Sequence, residues 1–229
     1  YTSSMAHIAG SSDATVLRPG SRVPDTLVAD LLRHPSVQTA APVLSTYVRS
    51  AAHEPPFMLI GFDPVLDRDL RGWRSIETAA DDGPAWSELI TRPGALLIGP
   101  RLGEVFGWQA GDRVRLTHSR GSAEFDILGV LDAEGLALVE GGRVALCDIA
   151  TFQEFTGQFG LADWIDLRLA PRASAGALSA IRSRLPDGVV LRSPSTRSSS
   201  GQAMIRAYQL SLTFLSFISL FVGMFLVYS

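Results

Sequence analysis

Side chains that could carry out chemistry are few in this sequence, and they stand far apart. The four histidines are His7, His34, His53 and His118. None has the H-x-H or H-E-x-x-H spacing with which a strand or helix presents zinc ligands. All twenty basic residues are arginine, which rules out a phosphate-binding loop ending in G-K-S/T and a Schiff-base lysine. We therefore predict no catalytic residue, no metal site and no cofactor, and hence a chain that is not an enzyme.

The remaining nucleophiles also lack a catalytic setting. No G-x-S-x-G elbow is present, and the serine-rich segment 193–201 has the composition of a linker. Cys147 is the single cysteine, so it can form no internal disulfide, and its apolar neighbours indicate a buried small hydrophobe. The formal net charge of −3 gives no sign of a polyanion-binding surface, so nucleic acid is not expected as a partner.

A mixed-charge cluster lies at the end of the first third of the chain. Its members are Asp63, Asp67, Arg68, Asp69, Arg71 and Arg74. The carboxylates could be imagined as a site, but acidic and basic residues in alternation are more typical of a solvated surface that neutralises itself. We therefore predict an exposed face here.

Two groups of aromatic residues are candidate contacts for a partner or substrate. Phe152, Phe155 and Phe159 are spaced i, i+3, i+7, which places them on one face of a helix predicted at 150–159. That face either packs into the core or forms a groove for an acyl chain or a partner. Trp73 and Trp86 lie in polar surroundings, where an apolar ring with a polar tip often serves at an interface.

Hydrophobic periodicity predicts two similar α/β units that would position these residues. The first has strands at 14–18, 37–48 and 57–61 and a helix at 25–32. The second has strands at 164–169 and 189–192 and a helix at 174–185. Strands at 94–98, 113–117, 124–131 and 143–146 and a helix at 100–106 lie between them. The prediction is an α+β fold in which two α/β halves share one core and a β-rich segment is inserted between them.

The C-terminal residues 207–229 form a run without charge or proline. About 20 apolar residues are needed to cross a hydrocarbon layer of ~30 Å, so this run predicts a transmembrane helix rather than a buried core helix. Its marker residues are Tyr208, Leu212, Phe217, Gly223 and Tyr228. The tyrosines suit the two membrane interfaces, and the glycine would allow a neighbouring helix to approach. Because the chain begins at Tyr1, we expect it to be part of a longer polypeptide.

Six segments in a fixed order resemble a known family. They are HPSVQTAAPVL, FMLIGFDP, ALLIGPRLGEVFGWQAGDRVRL, a hairpin ending in GVLD, GGRVALCDIATFQEFTG, and the C-terminal AYQLSLTFLSFISLFVGMFLVYS. This order resembles the MacB-like periplasmic core domain joined to an FtsX-like permease domain. The resemblance implies a porter-like subdomain at 1–65 and 160–205, an inserted β-rich subdomain at 66–159, and at 206–229 the transmembrane helix that starts the permease domain.

The same resemblance implies a role and a location. The domain would lie on the extracytoplasmic side of a bacterial plasma (inner) membrane, in an ABC transporter permease whose ATPase is separate or fused. Expected partners are that ATPase, membrane lipids, a lipid, lipoprotein or hydrophobic substrate, a periplasmic protein, and a second permease in a dimer. Two functions stay open. One is transport, with a lobe that tilts on a rigid base as ATP is hydrolysed, and the other is activation of a bound peptide or cell-wall enzyme without transport.

Overall fold

Apolar and alternating segments of the sequence form one mixed β-sheet. The computed structural model describes residues 12–50, 55–70, 85–131, 135–174 and 176–193. In these ranges the strands are β1 (Ala14–Leu17), β2 (Val23–Pro24), β3 (Val37–Val48), β4 (Phe57–Phe62), β5 (Ala95–Ile98), β6 (Arg113–His118), β7 (Gly121–Val130), β8 (Val144–Asp148), β9 (Leu161–Ala162), β10 (Trp164–Leu169) and β11 (Val190–Arg192). Nine of them run in the order β11-β1-β10-β3-β4-β8-β5-β7-β6, and β2 pairs with β9 separately.

Within the described residues, five short helices connect or cover these strands. They are α1 (Leu27–Leu32), α2 (Ala85–Thr91), α3 (Pro100–Phe106), α4 (Ile149–Thr156) and α5 (Ala177–Arg182), with 3-10 turns at Asp67–Asp69 and Gly135–Gly142. Two of the helices are one or two turns shorter than their periodicity suggests. Helix α5 covers only part of the predicted 174–185, and α4 ends before Phe159 because Gly157 adopts a left-handed conformation at its C-cap (φ 67°).

Helices α1 and α5 pack into one shared core, as the sequence predicts. Leu31 of α1 and Ile181 of α5 belong to the same buried cluster, together with residues of β1, β3 and β10. The two α/β units therefore fold against each other although about 100 residues separate them in the chain. This arrangement and the mixed sheet confirm the predicted fold class.

Strand β3 is the longest strand and lies between the two ends of the sheet. It pairs antiparallel with β10 on one side and with β4 on the other, and eight of its twelve residues are buried. Beyond its end, Arg49 exchanges backbone hydrogen bonds with Thr117 of β6 at 3.1 and 2.7 Å. The sheet from β3 to β6 thus curls toward closure around a second core, which includes Leu44, Leu96 and Phe152.

The sheet contains strands from both predicted subdomains. Strand β4, which belongs to the predicted porter-like part at 1–65, pairs in parallel with β8, which belongs to the predicted insertion at 66–159. A third core cluster joins Val43 and Trp164 to Leu97 and Leu128. The division into subdomains stays a prediction, but the two parts share a sheet and a core.

The predicted transmembrane segment at 206–229 lies outside the described residues. Within the described ranges, no helix has both the length and the apolar content needed to cross a bilayer.

Candidate functional site

Several residues singled out in the sequence cannot be placed. The transmembrane markers Tyr208, Leu212, Phe217, Gly223 and Tyr228 lie outside the described residues, as does Trp73. Trp86 belongs to α2 by its backbone, but its side chain is not among those described. These assignments therefore stay predictions.

The prediction that Phe152, Phe155 and Phe159 share one helical face is wrong for Phe159, because the helix ends at Thr156. Phe152 is fully buried in the core, and Phe155 packs against it, with its ring 5.1 Å from that of Phe125. Phe159 lies beyond the end of α4 and is 66% exposed. It cannot share a helical face with the other two, because Gly157 ends the helix one turn earlier than the spacing implied.

The mixed-charge cluster is only in part the solvated surface that we expected. Asp63 is half-buried. Its carboxylate stabilises a local turn by accepting the backbone N–H groups of Val65 and Leu66 at 2.9 and 3.1 Å. Asp67 is fully buried. The reason is that the turn at Asp67–Asp69 carries the buried Leu70 and packs on β3, which draws Asp67 beneath the surface. Arg71 and Arg74 lie outside the described residues.

His34 and His118, the two histidines that the structure describes, lie in different parts of the fold, and His7 and His53 lie outside the described residues. His34 is buried and accepts the backbone N–H of Ser36 at 3.2 Å. His118 lies 5.9 Å from the Phe155 ring, centre to centre, and this partial burial, with Arg120 and Arg22 nearby, lowers the pKa of His118. In the part of the chain that the structure describes, no three His, Cys, Asp or Glu side chains come together as metal ligands. Cys147 is fully buried, which raises the pKa of its thiol.

One group of polar side chains converges where β1, β3 and β10 meet. Asp163, just before β10, accepts the Arg22 Nε at 2.8 Å on one carboxylate oxygen. Its other oxygen accepts the backbone N–H and the hydroxyl of Ser45 in β3, at 2.7 and 3.0 Å. This set of three residues, the Asp163 clamp, joins the β1–β2 segment and strand β3 to a residue that lies more than a hundred positions further along the chain.

A second polar group surrounds Asp166, three residues after Asp163 in the sequence. Asp166 of β10 is fully buried and accepts the Thr15 hydroxyl at 2.9 Å and the Trp164 indole N–H at 3.0 Å. A buried carboxylate is costly unless it is hydrogen-bonded, and these donors come from the neighbouring strand and from the same strand. Both groups therefore fix the register of β1, β10 and β3.

An open cleft of about 620 Å³ adjoins the Asp163 clamp. It is lined by Arg18, Gly20, Ser21, Arg22, Pro24, Leu161 and Asp163. A smaller cleft of about 310 Å³ lies between α1 and α5, lined in part by Leu27, His34 and Leu185. The first is polar and holds two arginines, whereas the second continues the apolar core of the two helices.

Sequence reasoning missed the Asp163 clamp and the cleft beside it. Their local signal is the turn Arg18-Pro19-Gly20-Ser21 followed by Arg22, where proline and glycine predict a reversal between two basic residues. The partners Ser45 and Asp163 carry no comparable signal, because only the folded sheet brings them to the turn. Chemically, the arrangement can brace strands and bind an anion.

Three kinds of comparison point the same way. A family model for the MacB-like periplasmic core domain matches residues 2–183 of the chain. An uncharacterized ABC transporter permease protein of Mycobacterium tuberculosis is 28% identical over 230 residues, which cover 99% of this chain and 26% of the relative. The chain therefore spans about a quarter of the length of that permease.

Two solved structures are similar in fold. The periplasmic region of MacB from Actinobacillus actinomycetemcomitans gives a TM-score of 0.60 at 9% identity, over 86% of this chain and 95% of that one. The extracellular domain of the noncanonic ABC-type transporter YknZ from Gram-positive bacteria gives 0.51 at 10% identity, over 73% of this chain and 87% of that one. At such identities the likeness concerns the fold alone.

Proposed function

The chain belongs to the family of MacB-like periplasmic core domains, and on that premise we propose that it works as the extracytoplasmic domain of an ABC transporter permease. It couples ATP hydrolysis in the cytoplasm to the handling of a lipid, lipoprotein or other hydrophobic compound at the outer face of the plasma membrane. The observation that carries this proposal is the family match over residues 2–183. The similarity to a mycobacterial permease over nearly the whole chain supports it.

In this proposal the domain itself is not catalytic and transmits motion. Its ATPase is a separate subunit or another part of the same polypeptide, and a second permease completes a dimer. A transmitter needs an element that moves without deforming. The long strand β3, paired on both sides and braced by the Asp163 clamp, meets that need.

The pattern of strand pairing favours motion of the domain as one body. A lobe tilting at residues 65–66 would have to break the pairing of β4 with β8, which extends over five residue pairs. Each lost backbone hydrogen bond inside the sheet would leave buried polar groups unpaired. The motion that we propose is therefore displacement of the whole domain as a rigid body, and not the tilting of one lobe on the other. The described residues offer no observation that favours the signalling role.

Accessibility from outside the cell tests the proposed location. Arg101 on α3 has an exposed side chain, so a cysteine at this position should react with a membrane-impermeant maleimide on intact spheroplasts that produce the full-length permease. The wild-type protein is the matched control, because Cys147 is buried and its thiol is protonated. Labelling of Arg101→Cys only after the membrane has been permeabilised would contradict an extracytoplasmic domain.

A further inference from the structure

The cleft beside the Asp163 clamp has a positive lining in a chain that is acidic as a whole. Its two arginines stand against one aspartate, which leaves a charge of +1 on the lining, whereas the chain carries −3. The aspartate adds little repulsion for an anion, because both of its oxygens already accept hydrogen bonds from Arg22 and Ser45. The cleft is thus a place where an anion gains charge-assisted hydrogen bonds.

Arg22 is held with its donors available. Its Nε is used by Asp163 at 2.8 Å, while its two terminal nitrogens have no partner among the described residues. The side chain is 40% exposed, so the ion pair fixes the guanidinium at the surface without burying it. An arginine oriented in this way loses little freedom when a ligand binds.

Arg18 has a donor that lacks an acceptor. Its Nη2 donates to the backbone carbonyl of Asp187 at 3.4 Å, but its Nε is buried and finds no partner within the described ranges. A buried N–H of a charged group normally has an acceptor, because leaving it unmade is costly. The Arg18 Nη1 likewise has no hydrogen-bond partner among the described residues, so the guanidinium keeps a donor for a ligand in the cleft that Arg18 lines.

The turn between the two arginines is tightly ordered. The Ser21 N–H donates to the Arg18 carbonyl at 3.2 Å, and Gly20 takes a positive φ of 75° after Pro19, as the third residue of a type II turn does. The turn therefore keeps Arg18 and Ser21 in the lining of the cleft in advance of binding.

We propose that this cleft is a binding site for a phosphate group, held by Arg18, Arg22 and the Ser21 hydroxyl. Two guanidinium groups and a hydroxyl offer more donors, in more directions, than the two oxygens of a carboxylate can accept, whereas a phosphate presents three or four. The phosphate could belong to a free phosphate compound or to a lipid headgroup, which share this chemistry. The inference does not depend on the proposed coupling to ATP hydrolysis.

Calorimetric titration of the full chain in detergent micelles tests the site. Three probes are compared at constant ionic strength: inorganic phosphate, glycerol 3-phosphate, and glycerophosphoglycerol, the deacylated headgroup of phosphatidylglycerol. We expect saturable binding of at least one of them, weakened about tenfold or more by Arg18→Gln and by Arg22→Gln. Preference for the diester would identify a lipid headgroup as the source, and preference for the other two a free phosphate compound.

Two further variants keep the result interpretable. Ser21→Ala leaves the Asp163 clamp intact and should weaken binding by a few-fold, which separates ligand contact from any loss of stability in Arg22→Gln. Arg101→Gln removes an exposed, ion-paired arginine from α3 and should leave binding unchanged. The proposal is overturned if none of the three probes binds saturably at millimolar concentration, or if Arg101→Gln weakens binding as much as the cleft variants do. No ATPase is needed, so failure here would leave the proposed function untouched.

Discussion

A single side chain, Asp163, contributes much of the stability with which the β1–β2 segment, β3 and β10 are held together. Asp163 serves three donors from two other segments, and hydrogen bonds to a charged group are worth more than those between neutral groups. An ion pair such as Arg101–Glu104, in which both side chains are more than half exposed, contributes less. The difference can be measured by removing one charge at each kind of site.

Asp163→Asn should lower the free energy of unfolding by about 1–3 kcal/mol, because it removes the charge that Arg22 and Ser45 share. Glu104→Gln is the control, since it breaks an ion pair in which both side chains are more than half exposed, and it should cost no more than about 0.5 kcal/mol. Urea unfolding of the full chain in detergent measures both. Equal losses in the two variants would contradict a special role for the clamp.

A second carboxylate links strand β7 to arginines from two segments. Asp126 accepts Arg113 Nε at 2.7 Å and Arg92 Nη2 at 2.9 Å. The hydrogen bond from Arg113, with the charge of both arginines, holds the pKa of Asp126 below its ordinary value. A group with a lowered folded-state pKa stabilises the fold above the unfolded pKa, near 3.9, and this contribution is lost as the pH falls through the folded-state pKa.

Asp126→Asn should therefore destabilise the chain at pH 7, and its difference from wild type should shrink as the pH drops below about 4. Urea unfolding midpoints at pH 7, 4 and 2.5 give the comparison. Glu124→Gln breaks a more exposed pair with Arg115 on the same hairpin and should shift the midpoints little. A difference between Asp126→Asn and wild type that stays constant over the pH series would show that pairing of the ionised carboxylate is not the cause.

Among the elements, α1 and α5 bring two distant segments of the chain into one core. Leu31 and Ile181 are 5% and 1% exposed and lie in the same cluster. Their neighbour Leu32 is 39% exposed on the same helix as Leu31. The effect of burial can therefore be tested by making the same substitution at the buried Leu31 and at the exposed Leu32.

Leu31→Asp and Ile181→Asp should each cost several kcal/mol, because each puts an unpaired charge into the shared core. Leu32→Asp should cost less than about 1 kcal/mol. In a double-mutant cycle with alanine at 31 and 181, a shared core predicts a coupling of about 0.5 kcal/mol or more. Strict additivity of the two alanine substitutions would show that the helices do not pack together.

Strand β4 and helix α4 meet at a position where only glycine fits. A methyl group on Gly61 would overlap the first side-chain atoms of Phe152, which cannot move without their helix. We predict that Gly61→Ala costs about 1–3 kcal/mol. Gly176→Ala is the control, since no atom lies within 4 Å of its added carbon and its φ is −88°. Thermal unfolding that is equal for the two variants would contradict this close contact.

Local sequence patterns predict most of these elements and fewer of their connections. Strands β3 and β10 and helix α3 begin and end where the sequence predicts, because alternation, proline and glycine mark their ends. The pairing of β4 with β8 and the Asp163 clamp join residues about 85 to 140 positions apart, and no local pattern carries that information. The buried Asp67 was misread for the same reason, since its burial depends on packing against β3.

For the molecule as a whole, the continuous sheet is the feature from which the proposed mechanism follows. One sheet connects β11 and β1 at one end to β6 and β7 at the other, and three core clusters lie against it. Deforming such a unit would break pairing and packing together, so displacement of the whole unit costs less than bending it.

Paired distance measurements on the full-length permease with its ATPase, reconstituted in liposomes, test this mechanism most directly. Spin labels at Arg101→Cys and Ser179→Cys report the distance across the domain, and a fluorophore at Arg101→Cys with acceptor lipids reports its distance from the membrane. Both positions are exposed, whereas Cys147 is buried and should stay unlabelled. We predict an unchanged distance across the domain and a changed distance to the membrane when ATP is trapped with vanadate. A changed distance across the domain, or no nucleotide-dependent change in either, would contradict a domain that transmits motion as one body.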